Sequence, residues 1–226
     1  MMPGMIQVTQ SWDDGVHDDV RLIELLRKYR AKATFNLISG AHRAERFSNW
    51  KYQDTKPVYH LALSELVELY RGFEVASHTV THPHLEQLPS EKVAWELAES
   101  RKQLEDIFQR PVRGFAYPFG TFNAAVKEEI RRQGYVYART GRRLPARDVY
   151  PPADPMEFGI TTWFSSESFW DEFARVKQAG GVFAFIGHSY EFVTEAMWTE
   201  FEEKLARLSA DPEVCWTTNI ELFTAA

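Results

Sequence analysis

The feature that most restricts this chain is the alternation of short apolar runs with amphipathic stretches along its 226 residues. Ile6 to Trp12 alternates as a half-buried strand does, and Leu22, Leu25, Leu26 and Tyr29 then recur at helical spacing. Ala33 to Ile38 reads as a second strand. Leu63, Leu66, Val67 and Tyr70 form a second helical stripe, with Ser64 near its start and Gly72 as its stop. Phe73 to Ser77 is the third strand, and Ser90 to Gln109 a long helix opened by Pro89 and closed by Pro111. Val112 to Tyr117 is the fourth strand, Asn123 caps a helix through Arg132, and Tyr135 to Arg139 is the fifth strand. Arg142 to Pro155, rich in Arg, Pro and Asp, reads as a loop, and Phe158 to Trp163 as a weak strand. Phe169, Phe173 and Val176 mark a helix ended by Gly180 and Gly181, and Val182 to Ile186 has the continuous apolar character of a strand buried on both faces. Trp198, Phe201, Leu205 and Leu208 share one helical face, and Val214 to Thr217 is the last strand.

Strands that alternate with helices predict βαβ units and a mainly parallel sheet. The number of repeats fits a single α/β domain over residues 1–226, a closed or distorted (β/α)7-8 barrel, better than an open sheet with a second domain. In such barrels the chemistry sits at the C-terminal ends of the strands. The polar residues of this chain obey that rule. Asp13 and Asp14 follow the first strand, His78 the third, Tyr117 to Gly120 the fourth, Arg139 the fifth and His188 the penultimate one.

Composition removes several function classes. The net charge of -6, without a concentrated basic footprint, argues against a nucleic-acid partner. Cys215 is the only cysteine, so no intrachain disulfide can form, and its place in Val214-Cys215-Trp216 reads as a buried core thiol. No apolar run reaches the ~20 residues that cross a bilayer, and Met1 to Gln7 lacks the pattern of a secretory leader. A cytoplasmic protein without a membrane partner is the expectation.

Two imidazoles stand four residues apart in Ser77-His78-Thr79-Val80-Thr81-His82-Pro83, and Pro83 disfavours a helix at His82. The adjacent carboxylates Asp13 and Asp14, buried at a strand end, would repel each other unless one took a proton or a cation lay beside them. One carboxylate and two imidazoles leave open positions on a divalent ion, the catalytic pattern of a metal site, and release the other carboxylate as a base. The competing readings are an N-cap at Asp13 or Asp14 and a third imidazole ligand at His84. His17 is either behind the site or exposed, and His42 and His60 receive no role. His188, emerging from a buried strand, is a candidate proton donor.

These residues, in this order, resemble the polysaccharide deacetylases of carbohydrate esterase family 4, the NodB-like proteins, over nearly the whole chain. Ser11-Trp12-Asp13-Asp14-Gly15 looks like the family's Thr-Phe-Asp-Asp-Gly motif, His78 to His82 like its second motif, Phe115-Ala116-Tyr117-Pro118-Phe119-Gly120 like its third and Ile186-Gly187-His188 like its fifth. Lys32-Ala33-Thr34-Phe35 is similar to its second strand. The resemblance implies Asp13 as catalytic base, His188 as general acid and the backbone N–H of Phe119 as an oxyanion donor. It implies Asp14, His78 and His82 as ligands of one divalent ion, with zinc first and cobalt, nickel or manganese as alternatives. Ala116 stands where many members carry an arginine that orients the base, and Arg139 on the next strand is the candidate substitute. The fourth motif has no clear counterpart, Trp163 and Trp170 being the candidates.

The implied activity is metal-dependent hydrolysis of N- or O-linked acetyl groups on a carbohydrate, with Trp12, Tyr117, Phe119 and Trp163 available to stack on a sugar. Two alternatives stand beside it: hydrolysis of a small cyclic amide or imide at the same site, and carbohydrate binding at a weakened site.

Overall fold

The computed structural model describes residues 5–224. In chain order the elements are β1 (Ile6–Asp14), α1 (Asp19–Lys28), β2 (Thr34–Leu37), β3 (Phe47–Tyr52), β4 (Lys56–His60), α2 (Leu63–Leu69), β5 (Glu74–Ser77), α3 (Ser90–Phe108) and β6 (Gly114–Ala116). There follow α4 (Ala124–Arg132), β7 (Tyr137–Arg143), α5 (Ala146–Val149), β8 (Phe158–Ile160), β9 (Thr162–Trp163), α6 (Phe169–Ala179), β10 (Val182–Gly187), α7 (Glu195–Ala210), β11 (Val214–Trp216) and α8 (Asn219–Thr224).

The main sheet runs β8-β7-β6-β5-β2-β1-β10-β9 with every pairing parallel. It curls until its two ends nearly meet. Residues 158–163 pair with β7 through Phe158 and Ile160 and with β10 through Thr162 and Trp163, while the Thr161 N–H donates to the Ala184 carbonyl at 2.7 Å. The chain thus has the distorted NodB-type barrel. Its outer face packs on the helices: Trp12, Phe35, Val75, Phe183 and Phe185 share one core with Leu22, Leu26, Phe201 and Leu205.

Side chains alternate across a strand, so the residues between those apolar ones point inward. They are polar: Thr9, Ser11, Asp13, Thr34, Asn36, Glu74 and Arg139 are all buried or nearly so. At the lower end Asn219, at the start of α8, accepts from Thr9 and donates to Ser11, each at 2.7 Å. The inward residues Thr9, Ser11, Asp13, Thr34, Asn36, Glu74 and Arg139 thus each have at least one hydrogen-bond partner inside the barrel, and Asp13 and Arg139 lie at its upper mouth.

Three details depart from the sequence expectation. The stretch 142–155 is not all loop: β7 continues to Arg143 and α5 follows. Residues 47–60 form the antiparallel hairpin β3–β4, outside the barrel. Cys215 is exposed, not buried, because β11 is a short strand paired with β1 and its period-two alternation turns Cys215 away from the side on which Val214 and Trp216 pack. Among the described residues no helix is long and apolar enough to cross a membrane.

Candidate active site

β1 delivers Asp13 to the mouth of the barrel. In a straight strand the next side chain would face outward, but Asp14 has φ of 82°, in the left-handed region, and Gly15 follows at 70°. The kink lets two successive carboxylates line the same cleft. A left-handed aspartate costs about 1–2 kcal/mol, the kind of strain that persists where surrounding structure holds it.

His78 lies just past β5. Its Nδ1 donates to the Ala116 carbonyl at 2.8 Å, and a carbonyl can only accept, so Nε2 carries the lone pair. That nitrogen lies 3.7 Å from Asp14 Oδ1. His82 occupies a tight turn rather than a helix: Thr79 and His82 both have positive φ, the buried Glu96 of α3 accepts from the N–H groups of Val80 and Thr81, and the His82 N–H donates to Thr79 Oγ1. His82 Nε2 stands 3.9 Å from Asp14 Oδ1.

One atom from each of Asp14, His78 and His82 falls within 4.8 Å of the others. Asp14 Oδ1 is buried and has no hydrogen-bond partner among the described residues. Burial pushes the His78 imidazole down to about 4 and lowers that of His82 as well, so both are neutral at physiological pH. An unpartnered carboxylate oxygen facing two neutral imidazoles is the donor set that a divalent cation takes, with room for further ligands.

Asp13 is neutralised differently. It accepts from Asn36 Nδ2 at 2.7 Å, and both its oxygens accept from one Arg139 nitrogen. Burial alone would raise its pKa, but Arg139, His78 and His188 outweigh that and hold the carboxyl well below the usual range. The repulsion expected between Asp13 and Asp14 is thus relieved by an arginine for the first, while Oδ1 of the second has no partner among the described residues. Arg139 reaches across from β7 through space left by two inward alanines, Ala76 and Ala116. The alanine that breaks the third motif is thereby what admits the substitute arginine. Replacing Arg139 by alanine leaves a buried anion uncompensated; it is expected to cost about 3–5 kcal/mol in a denaturant titration, with partial recovery in Arg139→Ala/Ala116→Arg.

His188 follows β10. Its Nε2 lies 4.0 Å from Asp13 Oδ2 and its Nδ1 3.1 Å from Glu191 Oε1. Burial lowers its pKa, but the hydrogen bond that it donates to Glu191 and the charges of Asp14 and Asp13 raise it to about 9, so the ring is protonated at neutral pH. Asp13 and His188 therefore form an anionic acceptor and a cationic donor across one cleft of about 250 Å³, with Asp14, His78 and His82 in its wall.

Residues 4–138 match the polysaccharide deacetylase family. The chain belongs to that family. It is 28% identical over 127 residues to a chitooligosaccharide deacetylase of Azorhizobium caulinodans, covering 55% of this chain and 53% of the relative. It is 26% identical over 129 residues to YxkH of Bacillus subtilis, covering 55% and 41%. The chain therefore spans about half the length of these relatives or less. Among solved structures, the Streptococcus pyogenes deacetylase PplD, in complex with acetate, is 26% identical over 66% of this chain and 60% of its own, with a TM-score of 0.53. A family 4 carbohydrate esterase from Streptomyces lividans, 17% identical, covers 94% of this chain and 91% of its own at a TM-score of 0.58, a likeness of fold.

The structure brings Asp13, Asp14, His78, His82, Phe119 and His188 to one cleft. Phe119 has φ of 57° and is 58% exposed, its ring stacked on His84 at 3.9 Å between centroids. Trp163, 37% exposed, leans over His188. Trp12 is instead locked in the core against Phe164 and Phe201, and Tyr117 is buried with its hydroxyl on the Met156 carbonyl, so neither offers a sugar an open face. Of the two fourth-motif candidates, Trp163 lines the cleft, whereas Trp170 lies under Arg207. His17 is exposed, and His42 is buried, donating to the Leu61 carbonyl. Sequence reasoning missed Glu191 and Asn36. Each left a trace, an acid three residues beyond His188 and an amide inside the apolar run Phe35-Asn36-Leu37.

Proposed function

We propose that this chain is a metal-dependent hydrolase that removes N- or O-linked acetyl groups from a carbohydrate. The observation that carries the reading is the placement of an ionised Asp13 within 4.0 Å of a protonated His188, in the same cleft as the Asp14, His78 and His82 cluster. The deacetylase relatives point to the same chemistry. Asp14, His78 and His82 would hold one divalent ion, with zinc the first candidate. When bound there, such an ion polarises the acyl carbonyl and acidifies water.

The chain's own groups supply the rest. Asp13, held in place by Arg139 and Asn36, takes the proton of the attacking water. Its depressed pKa makes it a weak base, so it works only on water that has already been acidified. The Phe119 N–H, in its left-handed turn at the cleft wall, is the oxyanion donor. His188 gives its proton to the leaving amine or alcohol, and Phe119 and Trp163 provide apolar faces for the sugar ring. The cleft, at about 250 Å³, has room for the acetylated ring at which the reaction occurs.

Zinc-loaded protein incubated with N-acetylated chitooligosaccharides and with acetylated xylan is expected to release acetate, and chelation to stop the release. Ring opening of a hydantoin-type substrate with no acetate from either carbohydrate would transfer the same residues to cyclic amides. If His188 is the donor, activity falls on the alkaline side, as pH rises through the pKa that Glu191 and Asp13 hold up. Glu191→Gln removes a contact that raises that pKa, so the alkaline limb moves to lower pH in a kcat profile.

A further inference from the structure

The segment that carries the base and the turn that carries the acid are joined by a buried clasp. Asp19, the first residue of α1, has no exposed surface, and its two oxygens accept from Ser189 Oγ and Tyr70 Oη, each at 2.6 Å. Ser189 directly follows His188, and Asp19 lies five residues past Asp14. The preceding residue, Asp18, reaches the same turn by another route. Its Oδ1 accepts from Lys56 Nζ at 2.6 Å, and that ammonium also donates to the carbonyls of Tyr190 at 3.1 Å and Phe192 at 3.0 Å. Two successive aspartates of the β1–α1 connection thus grip residues 189–192, one directly and one through a lysine of β4.

A carboxylate with no exposed surface and no cation on it is costly to bury, and an apolar side chain packs there without that cost. What Asp19 provides is direction: a short hydrogen bond that fixes where the chain leaves β10. The imidazole of His188 is the side chain next to that bond. Its other restraints are Glu191 on Nδ1 and the ring of Tyr190 stacked on it at 4.9 Å, both of the same turn, and the ring of Trp163 at 6.0 Å. The β1–β10 pairing ends at Trp12 opposite Gly187; beyond it, the Asp19 and Lys56 bonds tie the turn to the side of the barrel from which Asp13 projects.

We propose that Asp19 is a positioning residue for proton transfer: through Ser189 it sets the turn bearing His188 in register with the segment bearing Asp13, with Lys56 as a parallel tie. This rests on the reading that His188 protonates the leaving group. A displaced acid matters only where the leaving group needs a proton. An amine leaving from an N-acetyl sugar does, and a para-nitrophenolate does not.

The test is Ser189→Ala, a small change that leaves the Asp19–Tyr70 contact intact, beside Asp19→Asn and Lys56→Met. Each is assayed in the zinc-loaded protein on an N-acetylated chitooligosaccharide and on para-nitrophenyl acetate, and the mobility of the His188 ring is followed by NMR relaxation in the metal-free protein. Ser189→Ala is expected to lose roughly 10- to 100-fold in kcat on the amide with KM little changed, to lose far less on the aryl ester, and to show a more mobile His188 ring. Asp19→Asn, which keeps an acceptor oxygen, loses less than Ser189→Ala. Equal losses on both substrates, or a His188 ring no more mobile than in the wild type, would overturn the proposal. Wild-type protein that hydrolyses neither substrate would instead count against the deacetylase reading, and the relaxation measurement would still decide whether the clasp holds His188.

Discussion

Asp13→Asn is expected to lower kcat by roughly 10²- to 10⁴-fold, the range a positioned general base contributes. Asparagine keeps the size of the side chain and an oxygen for Arg139 and Asn36, so the geometry of the barrel mouth is kept while the proton acceptor is lost, at a cost in stability because buried Arg139 loses its counter-charge. Because Asp13 is not among the three clustered donors, the variant should bind one zinc per chain as the wild type does. The combination of intact metal content and lost turnover separates a base from a ligand. A carbohydrate-binding protein with a spent site would show no functional change in the same variant.

His78→Ala should act at the earlier step. Its Nε2 is one of three donors, its ring is fixed by the Ala116 carbonyl, and the site is buried enough that water cannot take over the imidazole's role without rearrangement. Loss of a partner one shell further out already costs about 10- to 100-fold in metal affinity, so loss of the ligand itself should exceed roughly 100-fold. Equilibrium dialysis reads this directly, and activity should fall with zinc content. The pH dependence has a definite sign. Burial pushes His78 down to about 4, below the ordinary imidazole value of ~6.5, so protons compete for the ligand only as pH falls toward that lower figure. Zinc should therefore stay bound through mildly acidic conditions and leave on further acidification.

The parts of the fold that sequence made legible were those with strong local patterns. β1, β5 and β10 are apolar or alternating and end in the polar residues that line the cleft. The β3–β4 hairpin was not legible because its turn lacks the usual glycine: Gln53 and Asp54 take positive φ values of 50° and 56°, positions normally marked by Asn-Gly or Asp-Gly. Cys215 misled because an apolar neighbourhood in sequence says nothing about which way a short strand faces.

The candidate site divides along similar lines. Asp13, Asp14, His78 and His82 stood out through adjacency and spacing, and His188 through its strand end. Arg139 entered only as a guess, and Asn36 and Asp19 not at all, since their partners lie far away in sequence; Asp13 and Arg139 are separated by 126 residues and meet only when the barrel closes. The candidate catalytic and ligand groups could be read from the chain. The groups that hold them in place required the fold.

The most direct measurement of the central claim is a crystal structure of zinc-soaked protein with data collected on both sides of the zinc absorption edge. One strong anomalous peak is expected about 2.0–2.2 Å from an Asp14 oxygen and from the Nε2 atoms of His78 and His82, with Asp13 outside bonding distance and still on Arg139. A peak at a different donor set, with Asp14 bonded elsewhere or the two imidazoles turned apart, would contradict that claim.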